Sequence, residues 1–506
     1  MQGKEAPGPC RCFFRFTAPS TRLQFGESKG ECLRSSGFLG NFSVDWRIAP
    51  NQPDFSRYAM FKHVPRLLRL AAPMILSTSA ITMMQLIDAI VLSRYSSEAV
   101  AAIGPSGLAV ILFQGFLFGT AGYAGTFVAH SHGSGDHGGV RASAWLGIHT
   151  SAASGIAALL VAWPLARLFL LAGHEPAVAR DESTYFWICM AGSFFPVLGA
   201  ALAGWLSGIG RPVIVTAVTF ISFALNALLA WGLVLGEWGL PRLGIAGAAL
   251  ATVAAQMIAA ILYTMIFAKS GGLTDRVARK LRWEQLRHFL SLAAPMGFRI
   301  SGELLAWTVF LVVVGRLGTV ELAASSIAFR INGVAFFPAL GLGQAAGILV
   351  GHARGAGADH EIKAIAWQSM AVCQTWMLAM AIVFATASVP LVSVFAGSGP
   401  EAVRIVETGS QVMKFVAIYC LFDAANVMIG CVLASAGDTN WLARTFIVCS
   451  GIFLVLLWLV SRFFPSLVAE WTLATLFVFA TAVIWLLRFR TGAWTTVQVL
   501  RDSGAR

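Results

Sequence analysis

Three acidic residues lie well inside long apolar stretches: Asp88 in "MMQLIDAIVL", Glu303 in "FRISGELLAW" and Asp423 in "YCLFDAANVMIG". An ionisable group in a membrane-spanning helix costs about 2.5–3.5 kcal/mol on insertion scales, so it is kept where it faces a cavity or a partner. A carboxylate there is relieved by taking a proton or by pairing with a cation, and one group can hold a driving ion and a cationic solute in turn. Carboxylate oxygens suit Na+ and H+ alike, which leaves the ion open. Arg299 stands one helical turn before Glu303 on the same face and could simply neutralise it, and Arg330 in "IAFRING" is a second possible charge partner. Asp423 has no basic residue within two turns. Met84, Trp307, Phe336 and Phe337 could line a cavity for flat cations, the alternative being plain packing or lipid contact.

The elements that must position these groups are membrane helices. The chain has 506 residues, 57% hydrophobic and only 12% charged, with a mean hydropathy of +0.73, well away from the composition of soluble domains. Continuous apolar runs, rather than alternating ones, favour helices over a barrel. Twelve spans are expected, near 67–93, 100–129, 142–172, 184–207, 212–235, 244–268, 287–315, 322–351, 362–396, 410–434, 441–462 and 467–488. The net charge of +12 comes with no basic helix or zinc spacing, so it reads as a topology signal rather than a nucleic-acid surface. The eight cysteines form no CxxC pair, and neither a disulfide framework nor a metal centre is expected from them.

Basic residues collect in the central loop "AKSGGLTDRVARKLRWEQLR", whereas "HEPAVARDES" and "GSGPEAVRIVE" on the opposite side are acid-rich. This places the central loop and both termini in the cytoplasm. The expected organisation is a disordered polar tail at 1–60, a six-helix lobe at 61–268, a basic linker at 269–286, a second six-helix lobe at 287–490 and a cytoplasmic tail at 491–506. Met60, just before the basic approach "FKHVPRLLRL", is expected to be the true start, with the tail a mis-assigned extension.

The halves repeat. A shift of 222 carries "LAAPM" at 70–74 to 292–296, Arg94 to Arg316, His130 to His352 and Trp145 to Trp367, and a shift of 227 carries "LSGIGRP" from Leu206 to "LASAGDT" from Leu433. Six spans between equivalents put both halves in the same orientation, an arrangement of transporters that work by rocking one half against the other. The acids do not repeat: Glu303 falls opposite Ile81, Asp88 opposite Phe310 and Asp423 opposite Pro196. His130 and His352 sit at helix ends beside glycines and are expected to cap them. The segment "HSHGSGDHGG" lacks the lysine of a phosphate loop and is expected to be a plain turn.

Four segments in order, "LAAPMILSTSAITMMQLIDAIVLSRY", "LAAPMGFRISGELLAWTVFLVVVGRLG", "ALGLGQAAGILVGHARGAG" and "CVLASAGDTNW", resemble the multidrug and toxic compound extrusion (MATE) family, most closely its NorM-like branch, and the resemblance runs from about 64 to 490. It implies an all-α protein of twelve helices in two V-shaped lobes, an antiporter and not an enzyme, which exports amphipathic organic cations in exchange for Na+ or H+ and needs no other cofactor. Asp88, Glu303 and Asp423 look like the family's intramembrane acids, with Asp423 and Glu303 the ligands if the ion is Na+. Asn226 in "FALNALLAW" resembles the first of two asparagines, but Ala230 stands at the second position, which puts an N-lobe cation site in doubt. The protein is expected in the inner membrane as a monomer, with organic cations and the bilayer as its partners. Two other readings stay open: a lipid-linked oligosaccharide flippase, which would need an arginine-lined cavity, and an intramembrane hydrolase using Glu303 and Asp423 as a dyad.

Overall fold

The computed structural model describes residues 61–171, 173–397, 399–497 and 499–500. The expectations for 1–60, including Met60 as the start, lie outside the described residues, as does the end of the tail from 501.

Among the described residues the regular structure is helical. Helices α1 (Val64–Ser93), α2 (Ser97–Gly122), α3 (Ala124–Gly133), α4 (His137–Phe169), α5 (Pro176–Ala191), α6 (Phe194–Gly208), α7 (Pro212–Leu235) and α8 (Ile245–Lys269) form the first lobe. A short α9 (Arg276–Arg279) leads to α10 (Trp283–Val314), α11 (Thr319–Gly355), α12 (Asp359–Thr386), α13 (Ser388–Ser393), α14 (Ala402–Ser435), α15 (Thr439–Phe463) and α16 (Leu467–Thr491). Ten helices, counting Glu98–Gly133 as one, are long and apolar enough to cross a membrane, and the pair α5–α6, bent by 46°, makes an eleventh. The 30-residue α1 occupies the first of the twelve expected positions.

Boundaries follow local chemistry. Ser96 accepts a hydrogen bond from the Ala99 N–H and starts α2, and Asp136 does the same for Gly139 at the start of α4. That second cap explains "HSHGSGDHGG": it is the turn that reverses the chain between α3 and α4. The span expected at 362–396 is broken after Thr386 into α12 and α13, and the seventh begins four residues earlier than expected, at Trp283.

The repeat is visible in the packing. Trp145 and Phe267 meet edge to face at 6.1 Å, and their equivalents Trp367 and Phe489 do so at 6.0 Å. The lobes join by exchange: α1 packs on α11, and α2 packs on α10. A Cβ on Gly119 of α2 would lie 2.7 Å from the Gly297 Cα of α10, and one on Gly341 of α11 would lie 2.8 Å from the Ile75 N of α1. These two contacts are the same contact under the 222-residue shift. Close helix approach through small residues is how membrane helices gain packing energy.

Candidate functional site: a charged cavity beside the lobe interface

Helix periodicity sets Arg299, Glu303 and Trp307 in one row on α10, and Asp423, Asn426, Val427 and Cys431 on one face of α14. With Phe336 of α11 and Thr481 and Trp485 of α16, they line a cavity of about 80 Å³ inside the second lobe. It has room for a small hydrated cation. Arg299 Nη1 stands 3.6 Å from Glu303 Oε2, and the guanidinium carbon lies over the Trp485 ring, 5.3 Å from its centroid. Asp423 makes no hydrogen bond or ion pair among the described residues, yet its charge interacts with that of Glu303. Two carboxylates and one guanidinium leave the cavity with a formal charge of minus one.

Asn426, which sequence reasoning passed over, belongs to this site. Its amide N–H donates to the Val478 carbonyl at 3.0 Å, while its own buried oxygen has no partner. Its position three residues after Asp423, on the same helix face, was the available signal.

A larger cavity of about 370 Å³ lies between the lobes, lined by α1, α2, α3, α6, α7, α10, α11 and α14. Met74, Phe118, Tyr123, Met296 and Gln344 are among its walls, and among the described residues no charged side chain lines it. Cys431 lines both cavities, so the charged one lies directly behind the uncharged one.

The other candidates are dispersed. Arg330 is exposed and makes no ion pair among the described residues, and neither Met84 nor Phe337 lines either cavity. Phe337 packs beside Phe336 at 5.8 Å, and its carbonyl accepts from Thr78 of α1 at 3.2 Å. In the first lobe Asp88 is 6% exposed, with one carboxylate oxygen unpartnered, and its field reaches Tyr185 and Cys189 of α5. Asn226 is fully buried; its N–H donates to Thr252 Oγ1 at 3.2 Å, and its oxygen is unpartnered. Ser77 and Thr216, 2.9 Å apart, tie α1 to α7 and set the register. Asp88 lies eleven residues beyond Ser77 and Asn226 ten beyond Thr216, so they share one depth.

At the face carrying the basic loop the lobes are latched. His130 Nε2 donates to the Ser435 carbonyl at 2.8 Å, and His352 Nε2 donates to the Gly208 carbonyl at 2.7 Å. The histidines are related by the 222-residue shift and the carbonyls by 227. The histidines do cap helix ends, as the sequence suggests, but each caps a helix of the opposite lobe. Glycine is required beside them, because a Cβ on Gly355 would run into the His130 carbonyl and one on Gly133 into that of His352. Tyr123 adds a hydrogen bond from its hydroxyl to the Ala434 carbonyl at 2.7 Å. The chain beyond α16 reinforces this face: Arg354 donates to the Thr495 and Val497 carbonyls at 2.6 Å, and Val499 is buried among Tyr123, Phe127 and Phe289.

Two repeated helical lobes, joined by helix exchange around a central cavity and latched at one face, define a polytopic transporter of the parallel-repeat kind. Residues 73–231 and 295–459 match the MatE family, once in each half, and the chain belongs to that family, the MATE transporters. It is 28% identical over 388 residues to the probable multidrug resistance protein NorM of Agrobacterium fabrum, covering 75% of this chain and 83% of that one. It is 27% identical over 420 residues to the multidrug resistance protein NorM of Burkholderia vietnamiensis, covering 79% and 87%. Among solved structures, an outward-facing multidrug resistance MATE family transporter of the MOP superfamily matches with a TM-score of 0.77 at 17% identity, covering 88% of this chain and all of that one. A MOP superfamily transporter from Pyrococcus furiosus matches with a TM-score of 0.76 at 18% identity, covering 85% and 96%.

Proposed function

We propose that this protein is a secondary antiporter that exports amphipathic organic cations, drugs and toxins among them, in exchange for Na+ or H+. The observation that carries the reading is the placement of Asp423, with the free amide oxygen of Asn426, in a charged cavity that shares the Cys431 wall with the interlobe cavity. The NorM names of its relatives support the cargo class. Methionine and aromatic walls suit a flat cation in the larger cavity, and the carboxylates behind it suit the driving ion. Among the described residues no arginine lines the interlobe cavity, which is the opposite of what an oligosaccharide flippase requires.

In this mechanism the basic face is cytoplasmic, the lobes are 61–268 and 287–490, and a monomer in the inner membrane carries out the cycle. The latched basic face corresponds to a stage closed to the cytoplasm. Cargo leaves first; the driving cation then binds at Asp423 and Glu303 and favours the inward-facing state. An ion can shift that equilibrium only through its different affinity for the two states. Asp88 and Asn226, at one depth in the first lobe, form a second cation site, weakened by the apolar Ala230. The test is efflux of a fluorescent organic cation from proteoliposomes under separately imposed Na+ and pH gradients; export under neither gradient would refute antiport.

A further inference from the structure

On the basic face of the first lobe, the α3–α4 turn, the α6–α7 connection and the end of α8 enclose a cavity of about 470 Å³. Its ionisable lining is wholly basic: His132, His137, Arg141, Arg211 and Lys269. Arg141 is engaged by Asp275 at 2.7 Å, whereas Arg211 and Lys269 make no ion pair among the described residues. Trp205, 3% exposed, also lines the cavity, and its indole N–H is buried without an acceptor. A cleft lined by one sign of charge concentrates the opposite charge, so the unpaired Arg211 and Lys269 favour an anion in this cavity. The N-terminus of α7 begins at Pro212, next to Arg211, and adds the positive end of a 24-residue helix.

The other half shows that this charge is not demanded by the fold. The 227-residue shift places Arg211 opposite Asp438, and the 222-residue shift places Ile266, which also lines the cavity, opposite Arg488. Asp438 and Arg488 form an ion pair at 2.8 Å. The second lobe thus neutralises this location internally, while the first puts an arginine where the acid stands and leaves it uncompensated.

We propose that this cavity binds the phosphate of an anionic phospholipid headgroup. Arginine and lysine at helix ends facing a leaflet are the side chains that hold such headgroups. A lipid is favoured over a soluble phosphate because bare apolar surface adjoins the site: Val213, two residues after Arg211 on α7, is 66% exposed, and Met265 and Ile261, one and two turns before Lys269 on α8, are 51% and 48% exposed. Those side chains offer an acyl chain a track starting at the headgroup.

The test uses the purified full-length protein in neutral detergent. Binding of phosphatidylglycerol is read by native mass spectrometry and by the shift in thermal unfolding temperature, beside phosphatidylcholine of the same chains and inorganic phosphate. Wild type should bind phosphatidylglycerol in preference to phosphatidylcholine, and Arg211→Gln with Lys269→Gln should weaken that binding by about tenfold or more. Lys280→Gln with Arg282→Gln, an equal loss of charge on the same face outside the cavity, should leave it unchanged. Equal binding by wild type and the cavity variant, equal loss in both variants, or no preference between the two lipids would overturn the site. An equal thermal shift from inorganic phosphate alone would overturn the lipid as its ligand.

Discussion

Arg299 and Glu303 stand one turn apart on α10 with 3.6 Å between Nη1 and Oε2, in the same cavity as Asp423, which has no cation of its own among the described residues. The pair is loose, and it sets the charge of the site: one negative charge remains, enough for one monovalent cation. Glu303 therefore acts partly through Arg299, whose positive charge it keeps occupied beside Asp423.

This count predicts a reversal. Glu303→Gln leaves Arg299 to neutralise Asp423 and should lower cation-driven export by about tenfold or more, since the cavity then carries no net charge to hold a cation. Adding Arg299→Gln restores the net charge of minus one and should recover a large part of the loss. Export rates at matched expression decide it; a double variant as inactive as Glu303→Gln would make Glu303 an indispensable ligand instead.

The reciprocal histidine latch gives a second expectation. Replacing His130 or His352 by Ala removes one interlobe hydrogen bond, worth about 1 kcal/mol, and should shift the balance toward the state open at the basic face by about fivefold. Distances between spin labels on the two lobes at that face would report the change. Gly355→Ala should act in the same direction, because its methyl group meets the His130 carbonyl.

Much of this was legible in the chain, for identifiable reasons. The 222-residue repeat marks Trp145 and Trp367 as equivalent, and each does hold a phenylalanine of the last helix in its half. Apolar runs located the spans because a bilayer demands their length. The roles of His130 and His352 were not legible, because a helix-end histidine looks the same whether it caps its own helix or one in the other lobe. Asn426 was overlooked because an amide in a membrane helix carries no charge to attract notice, and only the structure shows its oxygen unpartnered. The break between α12 and α13 is marked only by Thr386, Ser388 and Pro390, a short helix-start signal set inside an otherwise apolar run.

The Asp275 cap supplies a pH expectation outside the membrane. The Ala278 N–H, then Arg141, hold its carboxyl below the usual carboxylate range. A lowered folded-state value gives stabilisation that is present above the unfolded value, about 3.9, and is lost as pH falls through the folded value. Amide protection of residues 276–279, corrected for intrinsic exchange, should therefore be flat from pH 5 to 8 and fall only in stronger acid, and Asp275→Asn should lower it throughout the flat region.

The central claim is that Asp423 holds the driving cation. Its most direct test is efflux of ethidium from proteoliposomes carrying wild type or Asp423→Asn at equal protein content, with Na+ and pH gradients imposed in turn. The account predicts that the gradient that drives wild type drives the variant at less than about a tenth of its rate; efflux by Asp423→Asn at the wild-type rate under that gradient would contradict it.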